Sequence, residues 1–357
     1  MPKIAVIKPF LRKISTPPCF EKGVMLQYVY ERSSPIRKEN SGLRKIFSLC
    51  LILIMIFSSC AAAKKVETDF DFFPTANETL LAVQKAFPEP ICASVGGEWT
   101  VLNGCRFPGA KRSAEWEENY YDNLCDYIEK NSGKLSATKS TDYARVFLTL
   151  SALGKGTVVS GYDLLKPYSS MEFITKQGVN GANFALITMN FCHYSLTGDV
   201  TEEKLIAYIL ENEYPQGGWA LTGEEADIDI TAQTIQALTP YYDTDEKVKA
   251  AVDRAVTLLS EKQRADGGFF AWDGVNSQTT AEVIVALTGF GINVRTDERF
   301  IKEDGWMGSF LMQYYLGNGE FCHTLGQPKN PMATDSCLKA MIAILRFDQG
   351  LKGFYET

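Results

Sequence analysis

The feature that most constrains this chain is a pair of near-copies about 48 residues apart, counted from Gln216 to Arg264. The first reads Pro215-Gln-Gly-Gly-Trp219-Ala, then Asp227-Ile-Asp229-Ile-Thr231-Ala-Gln-Thr-Ile-Gln-Ala-Leu238. The second reads Gln263-Arg-Ala-Asp-Gly267-Gly-Phe269, then Asn276-Ser-Gln-Thr-Thr280-Ala-Glu-Val-Ile-Val-Ala-Leu287. In both, a Gly-Gly-aromatic turn leads through a polar strip into a helix rich in Ala, Ile, Val and Leu. A repeat of this length is one supersecondary unit that cannot bury its own apolar face, so copies must stack.

Weaker copies flank the pair. Gly96-Gly97-Glu98-Trp99-Thr-Val-Leu102 is followed by a segment from Thr141 to Gly154, another stretch runs from Gln177 to Leu186, and Gly319-Glu-Phe321 precedes a run from Met332 to Leu345. With the opening pair they give six candidate inner helices. Between them, residues 114–131, 202–212, 246–262 and 304–316 carry apolar residues at helical spacing on one face only. Val248, Ala251, Val252, Ala255, Leu258 and Leu259 form such a stripe. Helices that are apolar all round alternate with helices that keep one wet face, which describes two concentric rings. The predicted fold is all-α: a single-domain α/α toroid of six hairpins.

The N-terminal end reads differently. Arg44-Lys45, an apolar run over 46–57 and the small residues Ser58-Ser59-Cys60-Ala61-Ala62-Ala63 make residues 43–63 a secretory signal. The run is too short to span a bilayer. Ser-Ser-Cys resembles a bacterial lipobox, in which Cys60 would carry the lipid; cleavage within the alanines is the alternative. Residues 1–42 are basic, Pro-punctuated and aperiodic, and are expected to be an extension outside the native fold. Residues 64–77 are expected to form a polar tether, and 78–357 the toroid. The expected location is the cell surface or periplasm of a bacterium, with the membrane met only through the lipid.

Residues 1–59 hold ten Lys and Arg and three acidic side chains, leaving 26 basic against 40 acidic beyond them. So acidic a surface repels nucleic acid. Outside the leader lie Cys92, Cys105, Cys125, Cys192, Cys322 and Cys337. This even set permits disulfides in an oxidising compartment or six buried thiols in a reducing one.

The Gln263-x-x-x-Gly267-Gly-Phe269 and Gln216-Gly-Gly-Trp219 turns resemble those of the terpenoid cyclase and protein prenyltransferase superfamily. The stretch from Ser94-Val-Gly-Gly-Glu-Trp99 to the C-terminus is similar to the prenyltransferase/squalene-oxidase repeat domain of bacterial surface proteins, and roughly residues 78–357 share it. That resemblance implies an α/α toroid. By analogy with cobalamin carriers, it implies a cavity for a corrinoid-like ligand and a separate β-domain as partner. One toroid hosts unrelated chemistries, so function must be read from the site.

In such a toroid, polar residues at the N-terminal ends of inner helices face one mouth of the central cavity, where free backbone N–H groups also gather. The candidate ligand-binding residues are Glu98, Trp99, Asp142, Tyr143, Arg145, Asn183, Trp219, Asp229, Gln233, Phe270, Trp272, Gln278, Glu282, His323 and Asp335. The bland alternative makes Asp229, Ser277 and Thr334 helix N-caps and the aromatics turn packing. Asp227-Ile-Asp229-Ile230-Thr231-Ala resembles the Asp-x-Asp-Asp-Thr-Ala acid motif of class II terpene cyclases, making Asp227 and Asp229 candidate general acids. Ile230, however, replaces the motif's last carboxylate. Phe191-Cys192-His193 and Phe321-Cys322-His323 repeat one tripeptide, and lanthionine cyclases bind zinc with two Cys and a His. Cys192, Cys322 and His323 are therefore candidate zinc ligands, or the two cysteines a disulfide.

Three readings follow. The toroid is an exported, lipid-anchored binding protein for a small amphipathic molecule or peptide. Alternatively it is an enzyme, cyclase-like, prenyltransferase-like or zinc-dependent, using the same cavity. Or it is a structural surface module whose cavity is filled by its own side chains.

Overall fold

The computed structural model describes residues 66–271 and 274–356. The leader residues 43–63, the candidate lipidation site Cys60 and the candidate ligand residue Trp272 lie outside them. Along the chain run α1 (Phe73–Ala86), α2 (Glu98–Arg106), α3 (Ala114–Lys130), α4 (Ser140–Ala152), α5 (Leu165–Tyr168), α6 (Met171–Thr175) and α7 (Gly178–Cys192). There follow α8 (Glu202–Glu211), α9 (Ile228–Leu238), α10 (Glu246–Lys262), α11 (Ser277–Gly289), α12 (Met307–Met312) and α13 (Pro331–Asp348). Three two-stranded antiparallel hairpins, β1–β2 (Val158–Val159, Tyr162–Asp163), β3–β4 (Phe270–Ala271, Gly274–Val275) and β5–β6 (Tyr315–Gly317, Glu320–Phe321), decorate the connections.

Helix α2 packs on α4, α4 on α7, α7 on α9, α9 on α11 and α11 on α13; α13 then returns to α2. The inner ring therefore closes. Its members are buried on most sides: α11 hides Thr279, Thr280, Ala281, Val283, Ile284, Val285, Ala286 and Leu287. Around it stand α1, α3, the α5–α6 pair, α8, α10 and α12, the outer members of six hairpins. The outer α10 buries Val248, Ala251, Val252, Ala255, Val256, Leu258 and Leu259 while Lys247, Asp253 and Glu261 face water. That is the one-sided burial its periodicity dictates.

The Gly-Gly turns have a common hydrogen-bond frame. Tyr214 N–H donates to Gly218 O and Gly217 N–H to Tyr214 O; Arg264 N–H donates to Gly268 O and Gly267 N–H to Arg264 O. This frame pairs Gly217 with Gly267 and Trp219 with Phe269, so the turns repeat at 50 residues rather than 48. Gly218, at φ +80°, could carry no side chain: a Cβ would lie 2.6 Å from Leu258 and 2.8 Å from Thr231 Oγ1. The aromatic that follows is driven inward. Trp219 is fully buried with its indole N–H on Ile209 O at 2.8 Å, and Phe269 is equally buried.

Two expected boundaries move, and one outer helix departs from the regular pattern. The segment 64–77, read as a tether, is part of the packed domain from Glu67 onward. Trp306 Nε1 donates to Glu67 O, Arg295 donates to Thr68 O and Phe70 O, and Phe72 is wholly buried. Helix α1 already begins at Phe73. The outer helix before α7, which carries little amphipathic signal, is split into α5 and α6. Pro167 sits in α5, and Ser170 starts α6 by accepting the Phe173 N–H. The segment 304–316 is helical only over Met307–Met312, because Gly317, Asn318 and Gly319 turn the chain back at positive φ into the β5–β6 hairpin.

Candidate functional site

The N-terminal halves of the inner helices surround a cavity of about 640 Å³. Its wall is built from residues one helical turn apart, because positions i and i+3 or i+4 share a helix face. Helix α2 supplies Trp99 and Asn103, α4 Thr141, Asp142 and Arg145, and α7 Asn180 and Phe184. Helix α9 adds Ile230 and Gln233, α11 Gln278 and Glu282, and α13 Met332, Asp335, Ser336 and Lys339. The loop 93–97 and Lys139 form part of the mouth.

Of the sequence candidates, Trp99, Asp142, Arg145, Gln233, Gln278, Glu282 and Asp335 line this cavity. Glu98 lies behind the wall, 2% exposed; it accepts hydrogen bonds from Ala93 N–H at 2.7 Å and Tyr120 O–H at 3.3 Å. Its other oxygen is 3.9 Å from Arg145 Nε. His323 also stands one layer back, with Nδ1 2.7 Å from Gln278 Oε1. Asn183 is buried between helices and donates to Thr234 Oγ1 at 2.8 Å.

Five further candidates do not reach the wall either. Tyr143 is a core residue stacked on Tyr168, its hydroxyl accepting the Leu135 N–H. Trp219 is packed in its turn, as described above. Phe270 is 64% exposed on β3. Asp229 accepts a hydrogen bond from the Thr279 hydroxyl at 3.3 Å, linking α9 to α11. Asp227 is the N-cap of α9, accepting the Ile230 N–H at 2.9 Å. The residue of the Asp-Ile-Asp-Ile stretch that faces the cavity is Ile230. The acid motif thus presents an apolar side chain where a proton donor is needed, and the structure gives Asp227 and Asp229 structural partners instead. The caps of α11 and α13 are Asn276 and Asn330, not Ser277 and Thr334.

The proposed zinc set is not assembled. Cys192 ends α7 with its thiol toward Phe147 O, whereas Cys322 lies ahead of α13 with its thiol toward Tyr314 O. No cluster of three or more His, Cys, Asp or Glu side chains suited to a metal occurs among the described residues. All six cysteines are free thiols, including Cys192 and Cys322. Burial pushes the thiols of Cys105 and Cys192 up to about 12.

The cavity's charges are arranged in pairs. Arg145 Nη2 reaches Asp142 at 2.7 Å. Lys339 Nζ reaches Glu282 Oε2 at 2.7 Å, and Gln236 Nε2 donates to Glu282 Oε1 at 2.8 Å. Burial lowers the affinity of Lys339 for its proton, but the Glu282 carboxylate outweighs this and the amine stays raised. Asp335 has no such cation at contact distance. Both its oxygens take the Thr100 hydroxyl at 2.7–2.8 Å, and Asn103 Nδ2 donates to its backbone carbonyl at 3.0 Å. Burial pushes the Asp335 carboxyl up to about 6, against the hydrogen bond from Thr100 and the charge of Lys339. The opposite edge of Asn103, a residue 1% exposed, holds an acceptor, Oδ1, that meets no protein donor. Trp99 and Phe184, with ring centroids 5.9 Å apart, form an aromatic corner beside these groups.

Asn103, Phe184 and Lys339 were not among the sequence candidates. Each lies one turn after another residue of the wall: Trp99, Asn180 and Asp335. Adding four to each mouth position would have found the deeper layer.

Neither a family model nor a curated protein matches the chain. Among solved structures it is similar to an unsaturated glucuronyl hydrolase from Bacillus sp. GL1, described as responsible for the degradation of glycosaminoglycan. The TM-score is 0.53 at 10% identity, over 80% of this chain and 98% of that one. The chain is an α/α toroid. At so low an identity the likeness speaks for the fold alone, and the cavity must supply the function.

Proposed function

We propose that this toroid is a binding protein whose cavity takes a small hydroxyl-rich ligand with one apolar face, of which a saccharide fragment is the simplest class. The observation that carries the reading is the composition of the wall. Planar carboxylate, amide and guanidinium edges from all six inner helices converge beside the Trp99–Phe184 corner. Edges of that kind pair with neighbouring hydroxyls, which both donate and accept, and an aromatic face covers the C–H side of a sugar ring. Three basic and three acidic side chains on the wall leave it near electrical balance, which favours a neutral polyol over a strongly charged ligand. The volume is that of ordinary small-molecule sites, roughly 300–1,000 Å³. The glycan-degrading neighbour is in keeping with this class. The corrinoid of the family resemblance gains less support, since neither histidine is on the wall. The superfamily resemblance, the export signal and the lipid anchor at Cys60 belong to the same proposal; they rest on the turn motifs and on the basic-apolar-small pattern before Lys64.

A second reading has one specific observation behind it. A carboxyl held at about 6, as in Asp335, is suited to give up a proton near neutrality, so a hydrolase acting on the bound saccharide is the alternative.

The test is native mass spectrometry of the exported protein, followed by calorimetric titration with linear oligosaccharides. Saturable binding that Trp99→Ala weakens at least tenfold is expected. Absence of binding to any neutral or acidic saccharide sinks the proposal. Turnover that Asp335→Asn abolishes without loss of binding moves the protein to the second reading.

A further inference from the structure

A ring of six hairpins encloses a lumen with two ends, and the 640 Å³ cavity lies at the N-terminal end of the inner helices. At the other end the last residues of the chain enter the ring. Arg106, the final residue of α2, donates to Gly353 O at 2.9 Å and to Glu356 O at 2.6 Å. Arg346, in the last turn of α13, donates to Lys352 O at 2.9 Å and to Arg106 O at 3.1 Å. Two guanidinium groups at helix C-termini thus clamp the backbone of the tail, where cations are favoured by the helix dipole. Gly353 sits so close that a Cβ there would lie 2.9 Å from Gly289 Cα, at the end of α11. Phe354 is 1% exposed and packs edge-on against Tyr355. The half-buried Tyr355 reaches toward the cavity: its hydroxyl accepts from Lys339 Nζ at 3.4 Å, and that amine is on the cavity wall.

We propose that the C-terminal segment 352–356 is a plug that makes the lumen a one-ended cavity, with Tyr355 as the floor under the Lys339–Glu282 pair. The plug sets the depth of the site, and so the length of ligand it accepts. This second consequence rests on the binding function proposed above; the plug itself does not. A ligand enters from the N-terminal mouth and stops at Lys339. Without the tail the lumen runs on past Gln236 and Val285, which Phe354 and Tyr355 now cover.

The experiment uses the full chain, Phe354→Ala, Tyr355→Phe and a chain ending at Leu351, each checked for helix content by circular dichroism. The first readout needs no ligand: acylation of the Lys339 amine by a small water-soluble ester, read by peptide mass spectrometry. Several-fold faster labelling is expected in the chain ending at Leu351 and a smaller rise in Phe354→Ala, with Tyr355→Phe close to the full chain because its ring still fills the floor. If the shortened chain does not fold, Phe354→Ala carries the comparison. Equal labelling in all folded forms overturns the plug. The second readout is titration with linear oligosaccharides of increasing length. The full chain should stop gaining affinity once the cavity is filled, whereas the shortened chain should continue to gain several-fold with longer ligands. Identical length profiles overturn the role in specificity. Failure of every saccharide to bind overturns the binding function while the labelling result still decides the plug.

Discussion

Asp335→Asn should stabilise the protein in mildly alkaline solution and leave it unchanged in acid. The Asp335 carboxyl has an ordinary value of 3.8 and stands at about 6 in the fold, chiefly because burial disfavours its charge. At 1.36 kcal/mol per tenfold change in proton affinity, this difference corresponds to about 3 kcal/mol. The sign follows from which state holds the proton more tightly. The folded protein does, so the contribution of the protonated carboxyl is complete below about pH 4 and is lost as pH rises through about 6. Above that, the fold carries an ionised carboxylate that is 8% exposed and whose direct side-chain donor is the Thr100 hydroxyl. Asparagine keeps an acceptor for that hydroxyl and has no charge to bury. Urea unfolding of both proteins at about pH 4, 6 and 8 measures the difference directly. The variant should be more stable by about 2–3 kcal/mol at the highest pH, by less at the middle one, and by nothing at the lowest. Parallel profiles, with a constant difference at all three, would show that Asp335 does not titrate near 6 and would refute the argument. A carboxylate retained at such a cost, on a cavity wall, is also the kind of group that function preserves.

Other outcomes follow from the packing. Gly218→Ala should cost about 1–3 kcal/mol, because a Cβ at φ +80° would press on Leu258, Ala226 and Thr231; thermal unfolding reads the loss. Trp219→Ala should cost about 3–5 kcal/mol and leave the Ile209 carbonyl without its indole donor. Protein purified without reductant should show no mass loss from disulfides. Iodoacetamide should modify half-buried Cys125 well before Cys192 or Cys337, which burial keeps protonated; peptide mapping of labelling rates tests the order.

The inner helices were legible because each is announced by a turn or polar strip and all but the short, mixed α2 are then largely apolar for about three turns. Gly217-Gly218-Trp219 and Gly267-Gly268-Phe269 are informative for a steric reason: only glycine fits at 218, and the aromatic after it has one place to go. The outer ring was read less evenly. Periodicity marks α3, α8 and α10 well, but it is silent where Pro167 breaks an outer element in two, and it overruns where Gly317 and Gly319 reverse the chain after Met312. The segment 66–72 looked like a tether because its side chains are largely polar. Apart from the buried Phe72 ring, its attachment is through backbone carbonyls taken by Trp306 and Arg295, and backbone acceptors have no sequence signature. The aspartates of Asp227-Ile-Asp229 misled for a related reason. An aspartate that caps a helix and one that protonates a ligand look alike in sequence, and a shift of one residue decides which side chain sees the lumen.

The two ends of the ring differ in a way that bears on where a ligand sits. At the C-terminal ends of the inner helices the exposed groups are carbonyls, and the chain brings Arg106 and Arg346 to that end with a tail that fills the space. At the N-terminal ends the exposed groups are N–H donors, and at three of the six helices a cap takes one of them: Asp227, Asn276 and Asn330 cap α9, α11 and α13. The caps are not the polar side chains that face the cavity. A structural module filled by its own side chains would place mainly apolar residues there. Instead the wall holds two ion pairs, a carboxyl raised to about 6 and a buried Asn103 acceptor without a protein donor. Each of these is costly to keep in a protein interior, and together they argue for a site shaped around a polar ligand rather than around the fold.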